Sequence, residues 1–184
     1  MSEYHAPVLL EEVVALLEPE RGGVYLDGPL GGGGHAAALL AAGSSSGARV
    51  IGVDRDPEAL AAAADRLAEW GDRFEGRLGS FAEEAERAEP GLAGALLDLG
   101  VSSRQIDAQE RGFSFRAGSP LDMRMAGPGD GGGAGVTAAD ILNEYGEDEL
   151  VRVLREYGEE PRARPIARRV VSRRGDRPFR TSDD

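Results

Sequence analysis

The sequence predicts an α/β fold, a parallel sheet with helices on both faces. Three observations predict it. Short apolar runs alternate with helical patterns over the first hundred or so residues, three of those runs end at or near an aspartate, and the first opens into the glycine-rich turn of "LDGPLGGGGHA", residues 26–36.

Each element follows in order. "VLLEEVVALLEPERGG" has apolar residues at helical spacing and stops at Pro19 and the Gly22–Gly23 pair, which predicts a helix. "GVYLDG" is a short apolar run ending in Asp27, the pattern of a buried strand. The glycine turn leads into "HAAALLAAG", a small-residue helix closed by Gly43, and "ARVIGVDRD" is a second buried strand ending in acids. Asp56 and Pro57 form an N-cap and first-turn pair for the helix "PEALAAAADRLAEW". "RFEGRLGSF" reads as a weaker third strand, "AEEAERAE" as a short acidic helix, and "LAGALLDLGVSS" as a fourth strand with Asp98 near its end. Right-handed crossovers bring the C-terminal ends of such strands to one edge. Asp27, Asp54 and Asp98 are therefore expected together at the edge where open α/β sheets bind ligands.

Past Val101 the alternation stops. "RQIDAQERGFSFRAGSPLDMRMAG" reads as an ordered loop and "PGDGGGAG" as a low-complexity surface segment. Thr137 and Asp140 form a capping-box pattern for "AADILNEY", and "EDELVRVLREYGEE" is a further helix with apolar residues at 150, 153, 154 and 157. The arginine-rich end is compatible with a helix that Pro161 and Pro165 disturb. The expected organisation is a sheet part over 1–103, a loop and glycine-rich segment over 104–135, and a helical subdomain over 136–184.

At 184 residues with 41% hydrophobic composition, the chain suits a compact domain with a small appended subdomain. No apolar run approaches the ~18 residues needed to span a bilayer, and the N-terminus lacks the basic flank and apolar stretch of a signal peptide. The absence of cysteine excludes disulfides and thiolate metal sites, no metal site is expected, and a cytoplasmic protein without membrane contact fits. Net charge is −12, and all 21 basic residues are arginine. Residues 1–160 carry 13 Arg against 30 acids, whereas residues 161–184 carry 8 Arg against 3 Asp. That balance argues against general polyanion binding and leaves the tail open to a local phosphate contact.

Gly31, Gly33 and Ala36 fit the G-x-G-x-x-[GA] spacing of nucleotide-binding turns, and Asp54 follows Gly31 by 23 residues at the end of the next strand. An acid there can accept hydrogen bonds from two ribose hydroxyls, so the pattern points to an adenosine ligand. NAD would set a pyrophosphate on the helix N-terminus, which the helix dipole favours. S-adenosylmethionine would set a zwitterionic amino acid and a sulfonium there, and the surrounding acids suit a cation better than a dianion.

The blocks "YHAPVLLEEVV", "DGPLGGGGHA", "GVDRDPEAL", "LLDLGVSSRQIDAQERGFSFRAGSPLDMRM" and "ADILNEYGEDELVRVLREYGEE", in this order, resemble the RsmH (MraW) family. These are S-adenosylmethionine-dependent methyltransferases acting on cytidine N4 in 16S ribosomal RNA of the bacterial small subunit. The resemblance implies a Rossmann-like class I methyltransferase sheet. It carries the methionine-side cofactor contacts onto Gly33, Gly34 and His35, the ribose acid onto Asp54, the adenine neighbour onto Phe81, and further cofactor contacts onto Asp98 and Gln105. Read without it, His35 is equally well a helix-start residue with a satisfied ring, Phe81 is plain core, and Gln105 has no support from spacing. His5 reads as an N-terminal packing or capping residue.

For such a reaction no metal or covalent intermediate is required. Alignment and a hydrogen-bond acceptor for the amino group suffice. Asp98, or a nearby backbone carbonyl in "DLGVSS", is the best candidate acceptor, and Asp98 is the candidate catalytic residue, with a role split between cofactor and base contact also open. Phe113 and Phe115, interleaved with Arg111 and Arg116, suit either base stacking with phosphate contact or pinning of their loop to the core. Asp122 is expected to pair with an arginine. The cluster Arg162–Arg180 is read either as an RNA contact or as a solvated face balancing the acidic stretch 144–160.

The sequence departs from the family pattern at Pro29, Arg104, Ala126, Pro161 and Pro165. The chain is also expected to end inside the helical insertion between the fourth and fifth strands. The fourth strand would then be an exposed apolar edge that invites self-association as a homo-oligomer. Two rival readings stand beside the methyltransferase: a truncated, catalytically inactive form that binds cofactor or RNA, and an NAD-dependent oxidoreductase.

Overall fold

The computed structural model describes residues 7–87, 91–128 and 135–184. His5 and most of the "PGDGGGAG" segment lie outside the described residues. The chain divides into two compact units, Met1–Ser103 and Arg104–Asp184.

In the first unit, four parallel strands form one sheet in the order β3-β2-β1-β4: β1 Val24–Asp27, β2 Arg49–Asp54, β3 Phe74–Leu78 and β4 Leu92–Leu96. This is the expected sheet. Tyr25, Leu26, Val50 and Val53 are buried, as the apolar runs require. Helices α1 Leu10–Leu17, α2 Gly34–Ala42, α3 Pro57–Leu67 and α4 Phe81–Arg87 complete the unit. Ala36, Leu39 and Leu40 of α2 are fully buried and, with Tyr25, Val50, Ala63 and Leu67, form the core. Burial of this apolar surface is the main term holding the unit together.

Local chemistry sets the helix ends. Asp56 accepts a hydrogen bond from the Glu58 N–H at 3.0 Å and Pro57 opens α3, as the sequence predicts. The end of α2 has a less visible partner. Arg73, far along the chain, donates to the carbonyls of Leu40, Gly43 and Ala48 at 3.1, 2.9 and 2.9 Å. The Leu40 and Gly43 carbonyls have no further helical turn to bond them, and the guanidinium supplies donors while tying them to Ala48, just before β2.

The second unit contains α5 Ser103–Asp107 at its boundary, then α6 Ala138–Glu144, α7 Glu147–Glu156 and α8 Ala163–Arg174. Leu150, Val151, Ala163 and Ala167 form its small core, flanked by Ile141, Leu154 and Val170. Thr137 and Asp140 make the expected capping box. Residues 104–128 join the helices in one unit: Pro120 bridges to Thr181, Leu121 N–H donates to Arg180 O, and Ala138 N–H donates to Asp122 O.

The arginine-rich end is a regular helix that Pro165 does not interrupt. Pro165 is the third residue of α8, in the first turn, where a missing N–H leaves no helical bond unmade. Arg164 and Arg168 lie against Glu147 and Asp148, Arg174 donates to the carbonyls of Leu142 and Tyr145 at 3.1 and 2.6 Å, and Arg177 pairs with Asp184 at 2.9 Å. Much of the cluster is thus occupied in balancing the acidic helix and closing α6.

Candidate functional site

The register of the sheet decides where the three strand-end acids stand. Asp27 lies level with Gly52 of β2 and Leu96 of β4, so Asp54 and Asp98 each stand two residues further along the same edge. The expected convergence is present, and both carboxylates act electrostatically on Asp27. Among the described residues no arginine pairs with any of the three. The edge is a concentration of carboxyl groups with no salt-bridged cation among the described residues.

Asp27 is the most buried of them, at 1% exposure. The Ala36 backbone N–H donates to its carboxylate, while Oδ2 meets no donor among the described residues. Desolvation, reinforced by Asp98 and Asp54, pushes its carboxyl up to about 7 despite the Ala36 bond.

Asp54 has a second task that spacing does not reveal. Its Oδ2 accepts from Gly31 N–H at 2.8 Å and its Oδ1 from Asp56 N–H at 2.9 Å, so the proposed ribose acid also locks the glycine turn onto β2. Burial raises its carboxyl above the ordinary range and these backbone donors oppose the rise. The Arg55 N–H is a third backbone donor to it, and since a carboxylate offers about four acceptor sites, about one remains for a ribose hydroxyl.

In the turn itself, Gly31 and Gly33 have positive φ values of 54° and 70°, which favour glycine. A Cβ on Gly31 would meet only open space, whereas one on Gly33 would press on Ala63 and Leu67 of α3. Gly34 serves packing: a Cβ there would stand 2.4 Å from Pro7 Cγ. The open side of the turn is therefore at Gly31, and Gly33 and Gly34 fix the entry of α2.

His35 is buried, and its Nε2 lies 2.9 Å from Val8 O. A carbonyl only accepts, so Nε2 carries the proton and donates, and Nδ1 faces Asp98 Oδ2 at 3.9 Å. The satisfied-ring reading and a place at the ligand edge hold together for this residue. Asp98 is half exposed, at 51% of its side chain. Phe81, the first residue of α4, is half-buried, with its Cβ 2.8 Å from where a Gly28 Cβ would stand.

The remaining sequence-predicted residues are in the second unit. Gln105 on α5 is buried, and its Nε2 has a long contact of 3.4 Å to Met125 O. The arginine–phenylalanine quartet divides. Arg111 is buried and donates to Met125 O at 2.7 Å, so its guanidinium serves the loop and is withdrawn from phosphate contact. Phe113 is half-buried, while Phe115 is fully exposed. Arg116 is exposed and donates to Asp107 O at 3.2 Å. Asp122 pairs with Arg124 at 2.7 Å, as expected.

These residues fit an adenosyl ligand bearing positive charge: an orphaned buried carboxylate oxygen, two further acids, an open glycine and an aromatic ring at one strand-end edge. Comparison with known proteins identifies the family. The model of the MraW methylase family matches residues 2–184. The chain is 48% identical over 190 residues to the ribosomal RNA small subunit methyltransferase H of Heliobacterium mobile, covering 100% of this chain and 59% of the relative. It is 56% identical over 168 residues to the protein of the same name from Myxococcus xanthus, covering 90% and 52%, and 50% identical over 183 residues to that of Geobacter sulfurreducens, covering 97% and 57%. The chain thus spans little more than half the length of these curated relatives. By its full-length match and by these identities, the chain belongs to the MraW methylase family.

Proposed function

We propose that this chain binds S-adenosylmethionine at the Gly31–Gly34 turn and directs methyl transfer to the N4 amino group of a cytidine in 16S ribosomal RNA, in the cytoplasm. The observation that carries the reading is the edge formed by Asp27, Asp54 and Asp98, acids that favour a cationic adenosyl ligand over the pyrophosphate dianion of NAD. The relatives' shared name supports the RNA substrate.

Asp54 accepts from the ribose beside its three backbone donors, Phe81 lies along the adenine, and Gly33, Gly34 and His35 hold the methionine end. Gln105 is a further contact carried by resemblance. When bound, S-adenosylmethionine supplies a methyl group on a positively charged sulfur. The chain's own residues must align the nucleophile and accept its hydrogen bond, because the N4 lone pair is delocalised into the ring. Asp98 is half exposed at the ligand edge and acts as that acceptor, with the His35 ring behind it. The cytidine must leave its stack to reach the site. Leu97, Leu99 and Val101, exposed just past β4, support self-association through that strand's edge, which sedimentation at several concentrations reads.

The test incubates the chain with methyl-labelled S-adenosylmethionine and undermethylated small ribosomal subunits, and analyses digested RNA for N4-methylcytidine. Labelled N4-methylcytidine is the expected product. Cofactor binding without product favours the binding-only reading. Failure to bind S-adenosylmethionine contradicts the proposal at its root.

A further inference from the structure

Asp27 belongs to the acid edge but takes no step in the transfer above, yet it is the most unusual group at the site. It is 1% exposed, its Oδ2 has no donor among the described residues, and it ends β1 directly beneath the first turn of α2. The titratable groups that face it make its position worse. Asp54 comes from β2, Asp98 from the segment after β4, and His35 from α2, whose Nε2 proton is already given to Val8 O. A buried carboxylate among carboxylates, with one backbone donor and no paired cation among the described residues, is unfavourable as an anion. In the ligand-free protein it therefore holds a proton over much of the range in which other aspartates have lost theirs, with its carboxyl pushed up to about 7.

We propose that ligand binding at the glycine turn expels this proton: Asp27 is a neutral acid in the free protein and a carboxylate in the complex, its Oδ2 accepting a hydrogen bond that arrives with the cationic ligand. The inference rests on the reading that the turn takes S-adenosylmethionine. The O–H bond of Asp27 breaks, the proton passes to buffer, and the ligand's positive charge takes the place of the proton's. Binding then weakens as pH falls, by up to about tenfold per unit on the acid side of the midpoint. The ligand's own α-amino group titrates near 8, so below pH 7 it stays charged and the proton released comes from the protein.

The experiment is calorimetric titration with S-adenosylmethionine at pH 6, 7 and 8, each in two buffers of different ionisation heat, such as phosphate and imidazole. The dependence of the observed heat on buffer counts protons. The expected result is release of about 0.9 proton per ligand at pH 6 and about half a proton at pH 7, with affinity about fivefold weaker at pH 6 than at pH 7. Asp27→Asn should bind at pH 6 with no proton released, whereas Glu75→Gln, paired with Arg77 away from the edge, should release as much as the unaltered chain. Binding at pH 6 without buffer dependence overturns the proposal, and so does release that survives in Asp27→Asn or vanishes in Glu75→Gln. If Asp27→Asn does not fold, the unaltered chain in two buffers decides alone. Absence of S-adenosylmethionine binding at every pH is a different failure, that of the underlying reading, and takes this proposal with it.

Discussion

The two units treat their carboxylates in opposite ways. In the second unit each perturbed acid is held below the ordinary range by donors: Asp122 by Arg124, Asp140 by the Thr137 hydroxyl and N–H, and Asp184 by the Arg180 and Thr181 N–H groups with Arg177 beside it. At the ligand edge of the first unit, Asp27 and Asp54 are held above it by burial. Glu75 and Glu84, away from that edge in the same unit, are lowered by Arg77. The contrast thus follows the site and not the unit as a whole. Acids with a donor or arginine beside them are held low, whereas Asp27 and Asp54, buried with backbone donors alone, are the ones the proposed function uses.

Core substitutions should break the comparison most strongly. Leu39 is fully buried in the larger core, and Leu39→Ala should cost about 3–5 kcal/mol, against about 2–3 for Leu150→Ala in the smaller helical core. Denaturant titration of each variant measures the difference. Next in size, Asp54→Ala removes the acceptor for two backbone N–H groups and should destabilise the chain by about 2–4 kcal/mol. Amide hydrogen exchange should speed up at Gly31 and Asp56 and stay unchanged in α7.

Asp27→Asn sharpens the contrast, because it should stabilise. An aspartate near 3.8 when unfolded and about 7 when folded binds more protons in the folded state between those values. Stability therefore falls as pH rises from about 4 to 7 and is level above that. Asparagine escapes the loss but brings an unmet amide, so a gain of about 1–2 kcal/mol at pH 7.5 is expected, shrinking toward pH 4. Thermal melts of both proteins across that range check it. Asp122 and Asp184 act in the opposite sense, adding stability above about pH 4 that is lost on acidification. The smallest effect is at a cap: Thr137→Ala should cost about 1 kcal/mol, with no change in ligand affinity.

The sheet was legible because buried parallel strands are short apolar runs, and the runs at β1, β2 and β4 each lead to an acid that crossover geometry places at one edge. The caps at Asp56 and Thr137 were legible because capping depends on neighbours within three residues. What escaped were contacts between residues far apart in the chain. The Asp54 lock on Gly31 spans 23 residues, and the Arg73 clamp on Leu40 and Gly43 spans 33 and 30. Nothing in local spacing separates a guanidinium turned inward from one turned to solvent, so the sequence left open the phosphate contact that the burial of Arg111 removes. Pro165 misled for a related reason: its effect depends on its distance from the helix start, and the start at Ala163 carries no side-chain cap. Of the site itself, the acids were visible from physics, while Gln105 came from resemblance alone.

The measurement that bears most directly on the account is a calorimetric comparison of S-adenosylmethionine with NAD on the unaltered chain. If the acid edge selects a cationic adenosyl ligand, S-adenosylmethionine binds with one site per chain and NAD gives no heat. Binding of NAD as tightly as S-adenosylmethionine, or of neither, would contradict it.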